Sequence, residues 1–178
     1  RESLVRAVLG RQLANHYCPR RSEEAFLVGL LQDCGVLFLA QVLGDKYAVM
    51  RRDSQATQSS LYQMEKKLFE FDHVAAASVI MEQWSLPELL AEPIRNHHRR
   101  GQSYPSTTEH VQLRQIAYFT GTVSLNKVES FSQEDFVLAD YCRTTFGLDK
   151  KDNRKLLANA QQEYSSMAQL FAGIVPEE

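Results

Sequence analysis

The sequence predicts an all-α protein, a bundle of eight to nine helices joined by short connections. Two observations carry that prediction. Apolar residues recur at helical spacing through most of the chain, and no segment shows the strict alternation of a half-buried strand. Helix-start signals, a Ser, Thr or Asp followed by acidic residues, also recur where those periodic segments begin. The composition suits a globular fold: of 178 residues, 44% are hydrophobic, 24% charged and 10% aromatic. A chain of that length can enclose a sizeable core.

Leu4, Val5, Val8, Leu9, Leu13 and Ala14 share one helical face, which predicts a helix over residues 2–17, ended by Pro19. Ser22 reads as the cap of a second helix, with Glu23 and Glu24 in the first turn, where the helix dipole favours acids. That helix is the apolar run AFLVGLLQDCGVLFL at 25–39, expected to break or bend near Cys34 and Gly35 and to end by Gly44. Residues 45–52 read as a short helix and 53–60 as a polar loop. Leu61, Met64, Leu68 and Phe69 predict a helix near 57–70, and Asp72 caps another from His73 to Gln83. Ser85 and Glu88 fit a capping box with Pro87 in the first turn of a helix running to about His98. A loop at 99–105 follows, then a second capping box, Ser106 with Glu109, opening a helix through Phe119. Ser132 starts a helix ending by Gly147, and residues 149–172 form the last and longest one. The domain is read as residues 1–173, with 174–178 a tail or linker.

The balance of 20 basic against 22 acidic residues, net charge -2, argues against a dedicated nucleic-acid binder. The apolar runs read as too short and too interrupted to cross a bilayer, so no membrane partner is expected. Cys18, Cys34 and Cys142 are odd in number and widely spaced, which favours a reducing compartment, hence the cytoplasm, over a disulfide frame.

Chemistry concentrates on a few residues. Asp33 stands between apolar neighbours, and a carboxylate cannot be buried without a partner or a metal. His73, His97 and His98 fall at or near predicted helix ends, where side chains of different helices can converge. Three imidazoles and a carboxylate suit zinc, iron or manganese. No His-x-x-x-His pair lies on one helical face, however, and adjacent His97 and His98 point about 100° apart on a helix. Taken singly, His73 reads as a packed helix-start residue and His98 as a helix C-terminal cation. Arg95, Arg99 and Arg100 read either as favourable charges at a helix end or as a phosphate or nucleotide patch, with the former favoured in a chain lacking a Gly-rich phosphate loop. No nucleophile elbow is present, and Cys34 reads as an inert core thiol.

Three ordered segments together resemble a known superfamily. AFLVGLLQDCG at 25–35 resembles the AFLAGLLHDIG helix of the HD phosphohydrolases. FDH at 71–73 followed by MEQWSLPE at 81–88 resembles their H-x-x-x-G and W-x-L-P segments, and IRNHH at 94–98 their I-x-x-HH segment. The chain looks most like the HDOD domains, HD-related output domains of bacterial signalling proteins and relatives of the HD-GYP cyclic di-GMP phosphodiesterases. The resemblance spans residues 2–172 and implies an HD-like helical bundle. Such domains usually carry a further helical lobe ahead of the point where this chain starts, so the chain reads as a fragment.

Position by position, the resemblance implies a degenerate metal site. RESL at 1–4 matches R-H-S-L, which puts Glu2 at the first metal histidine; the histidine of the His-Asp pair is Gln32; Asp33 is kept. Val36 stands at the lysine of the catalytic enzymes. His73, His97 and His98 are kept, although Ala77 replaces a glycine. RRGQSYP at 99–105 is too degenerate to serve as the HD-GYP motif, and no acid occurs near Tyr118 to Gly121, where the last metal aspartate would fall. A binuclear hydrolase needs about six ligands. No residue is therefore assigned a catalytic role. The favoured reading is a hydrogen-bonded polar cluster in which Asp33 accepts from His73 or His98, with no cofactor. The alternative is one divalent transition metal on Asp33, His73 and one of His97 or His98, with Glu2 as a fourth ligand. The function expected is a non-catalytic output module that binds a signalling protein, a fused regulatory domain or a nucleotide. The competing expectation is a metal-dependent phosphohydrolase acting on a nucleotide or cyclic dinucleotide.

Overall fold

Nine α-helices and no strand occur among the residues that the computed structural model describes, 1–57, 59–99, 108–122 and 140–172. Helix α1 (Glu2–Tyr17) buries Val5, Val8, Leu9, Leu13 and Ala14, and ends at Cys18, whose N–H is held by the Ala14 carbonyl. Burying side chains of that size stabilises by roughly 1.5–3 kcal/mol each. A 3-10 turn (Pro19–Arg21) leads into α2 (Ser22–Leu31). Ser22 does not cap α2: it already has helical angles, and Arg21 holds the cap position. Arg21 instead bonds Glu24 at 2.6 Å and Glu109 at 2.8 Å, tying the start of α2 to a later helix.

The apolar run breaks near Cys34 as expected, at Gln32 and Asp33, and resumes as α3 (Cys34–Leu43). Gly35 serves close packing, since a Cβ there would lie 1.9 Å from the His73 carbonyl oxygen. Gly29 does the same for α1 and α2, where a Cβ would lie 2.5 Å from the Arg6 carbonyl oxygen. By length and composition the stretch Pro19–Leu43 is apolar enough to cross a bilayer, contrary to the sequence expectation. Here it is a broken pair of helices packed beside α1 and α6.

Helix α4 (Asp45–Thr57) runs past the predicted end because Tyr47, Met50 and Ser54 continue a buried face, and the Ser54 hydroxyl donates to the Ser59 carbonyl. Helix α5 (Leu61–Phe69) starts later than expected and ends at Glu70, at φ 63°. Helix α6 (His73–Gln83) has the predicted cap: Asp72 accepts from the Ala75 N–H at 2.8 Å. The capping box expected next does not form. Ser85 takes φ 53°, Pro87 holds the cap position of α7 (Glu88–Arg95), and the Glu88 carboxylate pairs with Arg95. Helix α7 also ends before His97 and His98, which sit in the turn beyond it.

Helix α8 (Thr108–Thr122) follows; the predicted cap Ser106 and most of the 99–105 loop lie outside the described residues, as does most of the helix expected from Ser132. The end of the latter is a π-helical turn (Cys142–Phe146) closed by Gly147 at φ 69°. In α9 (Lys150–Ala172), Asp149 accepts from the N–H groups of Lys151 and Asp152.

The largest apolar cluster joins α1, α8, the π-helical turn and α9; a second joins α2, α6, α7 and α8; a third joins α3 and α4 with flanking residues of α5. The α2–α3 break, the start of α6, the turn after α7 and the end of α8 meet beside the second and third clusters.

Candidate functional site

Four side chains expected from the sequence do converge. His73 opens α6, His97 and His98 follow α7, and Asp33 stands at the α2–α3 break. One ring nitrogen each of His73, His97 and His98 lies within 4.8 Å of the others. His73 Nε2 and His98 Nε2 are 2.9 Å apart. Asp33 Oδ1 lies 3.5 Å from His97 Nε2 and 3.8 Å from His73 Nε2. Because His97 and His98 lie in a turn, both rings reach the cluster, with centroids 4.0 Å apart, whereas a continuous helix would have splayed them.

The far side of each ring is fixed. Glu65, fully buried on α5, accepts from the His73 backbone N–H at 2.8 Å and from His73 Nδ1 at 2.6 Å, and it also receives the Tyr47 hydroxyl from α4. Three donors satisfy a carboxylate that would otherwise be too expensive to bury. His97 Nδ1 donates to the Ile94 carbonyl at 2.7 Å. With Nδ1 protonated on both neutral rings, each Nε2 presents a lone pair to the cluster. His98 then donates to His73, and its ring stacks on Tyr62 at 4.4 Å.

His97 Nε2 is buried with no hydrogen-bond partner. Its nearest polar neighbour, Asp33 Oδ1, is also an acceptor. The expected cluster, with Asp33 accepting from His73 or His98, is therefore not the arrangement found. Asp33 gives its other oxygen, Oδ2, to the Arg6 guanidinium of α1. The lone pairs of His97 Nε2 and Asp33 Oδ1 face one another with no proton between them, which suits a cation; His98, which donates to His73, would present its own Nε2 lone pair once its proton sits on Nδ1. Zinc takes nitrogen ligands at about 2.0–2.1 Å, and the three ring nitrogens are the group placed to close on one ion, with Asp33 Oδ1 beside two of them, His97 and His73. The second layer fits too, because metal-bound imidazoles commonly donate their other nitrogen to a carboxylate or carbonyl. Burial lowers the pKa of His97 to about 3 and lowers that of His98 as well, so both rings stay neutral, as ligands must.

Among the described residues, the side facing α8 offers Gln32, Thr120 and Gly121 and no imidazole or carboxylate. Gln32 is buried; its Oε1 accepts the Thr120 hydroxyl at 3.0 Å, and its Nε2 has no partner. A Cβ on Gly121 would lie 3.2 Å from Gln32 Nε2 and 3.4 Å from the His97 ring, so the end of α8 faces this space without an acid. Glu2 is exposed at the start of α1 and, like Asp33, is not among the three residues whose ligand atoms lie within 4.8 Å of one another; its charge acts on Arg6. Of the three arginines, Arg95 is engaged by Glu88, Arg99 is exposed beyond the α7 turn, and Arg100 lies outside the described residues.

Sequence reasoning missed Arg6, Glu65 and Tyr47. The first two carried a readable signal. Glu65 shares the apolar stripe of Leu61, Met64 and Leu68, and Arg6 shares that of Leu9 and Leu13. Each is a charge on a buried face, the criterion that singled out Asp33.

Comparison with known proteins agrees with this architecture. Three solved structures share the fold. The MmoQ response regulator from Methylococcus capsulatus str. Bath superposes with a TM-score of 0.64 at 21% identity, over 88% of this chain and 59% of its own. A proposed phosphohydrolase from Shewanella amazonensis SB2B gives 0.61 at 18% identity, over 93% and 58%. A proposed signal transduction protein from Marinobacter aquaeolei VT8 gives 0.65 at 18%, over 94% and 38%. The chain thus spans between about two fifths and three fifths of these neighbours' lengths. No curated protein matches it. The family model for the HDOD domain matches residues 1–100, more than half of the sequence, and the chain belongs to the HDOD domain family.

Proposed function

We propose that this chain is a non-hydrolytic regulatory module of a signalling protein. It acts by binding a partner protein or domain, and it keeps one divalent transition metal as a structural element. The observation that carries this reading is the division of the pocket. The imidazole half offers His73, His97, His98 and Asp33, while the half facing α1 and α8 offers Gln32, Thr120 and Gly121. Hydrolysis by a metal pair needs ligands on both sides of a bridging water. Two of the neighbours, a response regulator and a proposed signal transduction protein, favour a signalling setting. The free thiols favour the cytoplasm.

Elemental analysis of protein purified without chelator should find one zinc, iron or manganese per chain, lost in His73→Ala; none would overturn the structural-metal part of the reading. Metal-supplemented protein should leave cyclic dinucleotides and generic phosphodiesters intact. Two metals per chain together with turnover would overturn the reading. A second reading, a single-metal phosphohydrolase, draws on the same convergence; turnover with one ion bound, abolished by His97→Ala, would establish it instead.

A further inference from the structure

We propose that the Arg6 guanidinium stands in for a second cation in the pocket, neutralising Asp33 from the α1 side and holding down the affinity of the imidazole side for its metal. This rests on the reading that the imidazole side takes an ion. Asp33 faces two ways: Oδ2 meets Arg6, and Oδ1 faces His97 and His98's neighbour His73. A carboxylate placed so bridges two cation positions, and a side chain of this protein fills one of them.

The fold fixes Arg6 in that place. Arg6 lies one turn after Glu2 on the same face of α1 and reaches the Oδ2 side of Asp33. Gly29 lets the α1 backbone at Arg6 press against α2, and Asp33 follows Gly29 by about one turn. The Arg6 side chain is only 14% exposed. A buried guanidinium needs a carboxylate partner, and Asp33 is the one it contacts among the described residues. The other charges that act on it are Glu2 on its own helix and Arg51 on α4. Arg51 has the same sign and adds to the demand for Asp33. A metal ion at the imidazoles must share Asp33 with this fixed positive charge, which opposes its binding.

The test is calorimetric titration of Zn²⁺ into chelator-treated full chain, comparing wild type, Arg6→Gln, Arg6→Met and Arg6→Lys, with circular dichroism to confirm folding. Arg6→Gln should bind zinc about tenfold more tightly than wild type. Loss of a merely structural ion pair would loosen the site and weaken zinc binding. A gain of threefold or more in folded Arg6→Gln supports the proposal; a smaller gain, or any loss, overturns it. Should Arg6→Gln fail to fold, Arg6→Met decides by the same threefold criterion, because it too removes the charge; Arg6→Lys, which keeps the charge, should stay within threefold of wild type, and a larger gain there would overturn the proposal. Zinc on the variant but not on wild type would remove the resident-metal reading and uphold Arg6 as the competing cation. Zinc on wild type with unchanged affinity in the variant would do the reverse. No zinc on any of the four would overturn both.

Discussion

Glu65 Oε2 lies 2.6 Å from His73 Nδ1 and 2.8 Å from the backbone N–H of the same residue, so one buried carboxylate fixes both the ring and the helix start that carries it. Removing its charge should disturb both. Glu65→Gln is expected to lower stability by about 2–3 kcal/mol, and Tyr47→Phe by about 2 kcal/mol, because hydrogen bonds to buried charged groups carry that much. The two effects should not add in the double variant, since both act on one carboxylate. Urea denaturation checks this; full additivity would mean that the Tyr47–Glu65–His73 chain does not act as a unit.

Acid should destabilise the fold, starting below about pH 6.5. Burial lowers His97 to about 3, and His98 is lowered by burial and then by the neighbouring His97. Both rings are thus neutral when folded, whereas in the unfolded chain they take up protons near pH 6.5. The unfolded state binds more protons as the pH falls, so the contribution is complete above about 6.5 and is lost progressively toward 3. The slope is at most about 1.4 kcal/mol per pH unit for each ring. Urea midpoints at pH 7.5, 6.0 and 5.0 in the presence of chelator should fall in that order, and less steeply in His97→Gln. A flat response would contradict the neutral-ring assignment.

Gly35→Ala should cost about 3 kcal/mol or more, because the added methyl would meet the His73 backbone carbonyl, which cannot move without shifting α6. The same substitution should weaken metal binding, since His73 moves with that carbonyl. Thermal melts and zinc titration test the two parts; a melting temperature within a degree of wild type would show that α3 and α6 have room to part.

Much of this was legible in the sequence, and the exceptions share a cause. Helices α1, α6 and α9 follow their periodicity and stop signals closely, and Asp72 caps as expected, because those signals lie within a few residues of one another. The capping box at Ser85 fared worse. Ser85 had the right spacing to Glu88, but Glu88 found Arg95 and Ser85 took a left-handed turn. The glycine at 35 was read as a helix breaker because sequence alone does not reveal that another backbone passes 1.9 Å from its missing Cβ. At the site, the imidazoles and Asp33 were visible as residue types. Their pairing was not, since Arg6, Tyr47 and Glu65 come from three other helices and are joined to them only by the fold.

The thiols should be poor nucleophiles. Burial raises Cys18 to about 11 and Cys142 to about 12, and it raises half-buried Cys34 as well. Titration with a thiol-reactive dye at pH 8 should therefore proceed slowly in native protein and count three thiols only after denaturation. Rapid labelling of one equivalent would identify Cys34 as an activated thiol instead.

Glu70 at φ 63° and Ser85 at φ 53° stand just outside the two ends of α6. Left-handed backbone costs a residue with a Cβ about 1 kcal/mol or more relative to glycine. The helix bearing His73 is thus suspended between two energetically uncomfortable joints. Glycine at either joint would relax the chain by about 1 kcal/mol, so the fold gives up stability at both approaches to the helix that carries His73.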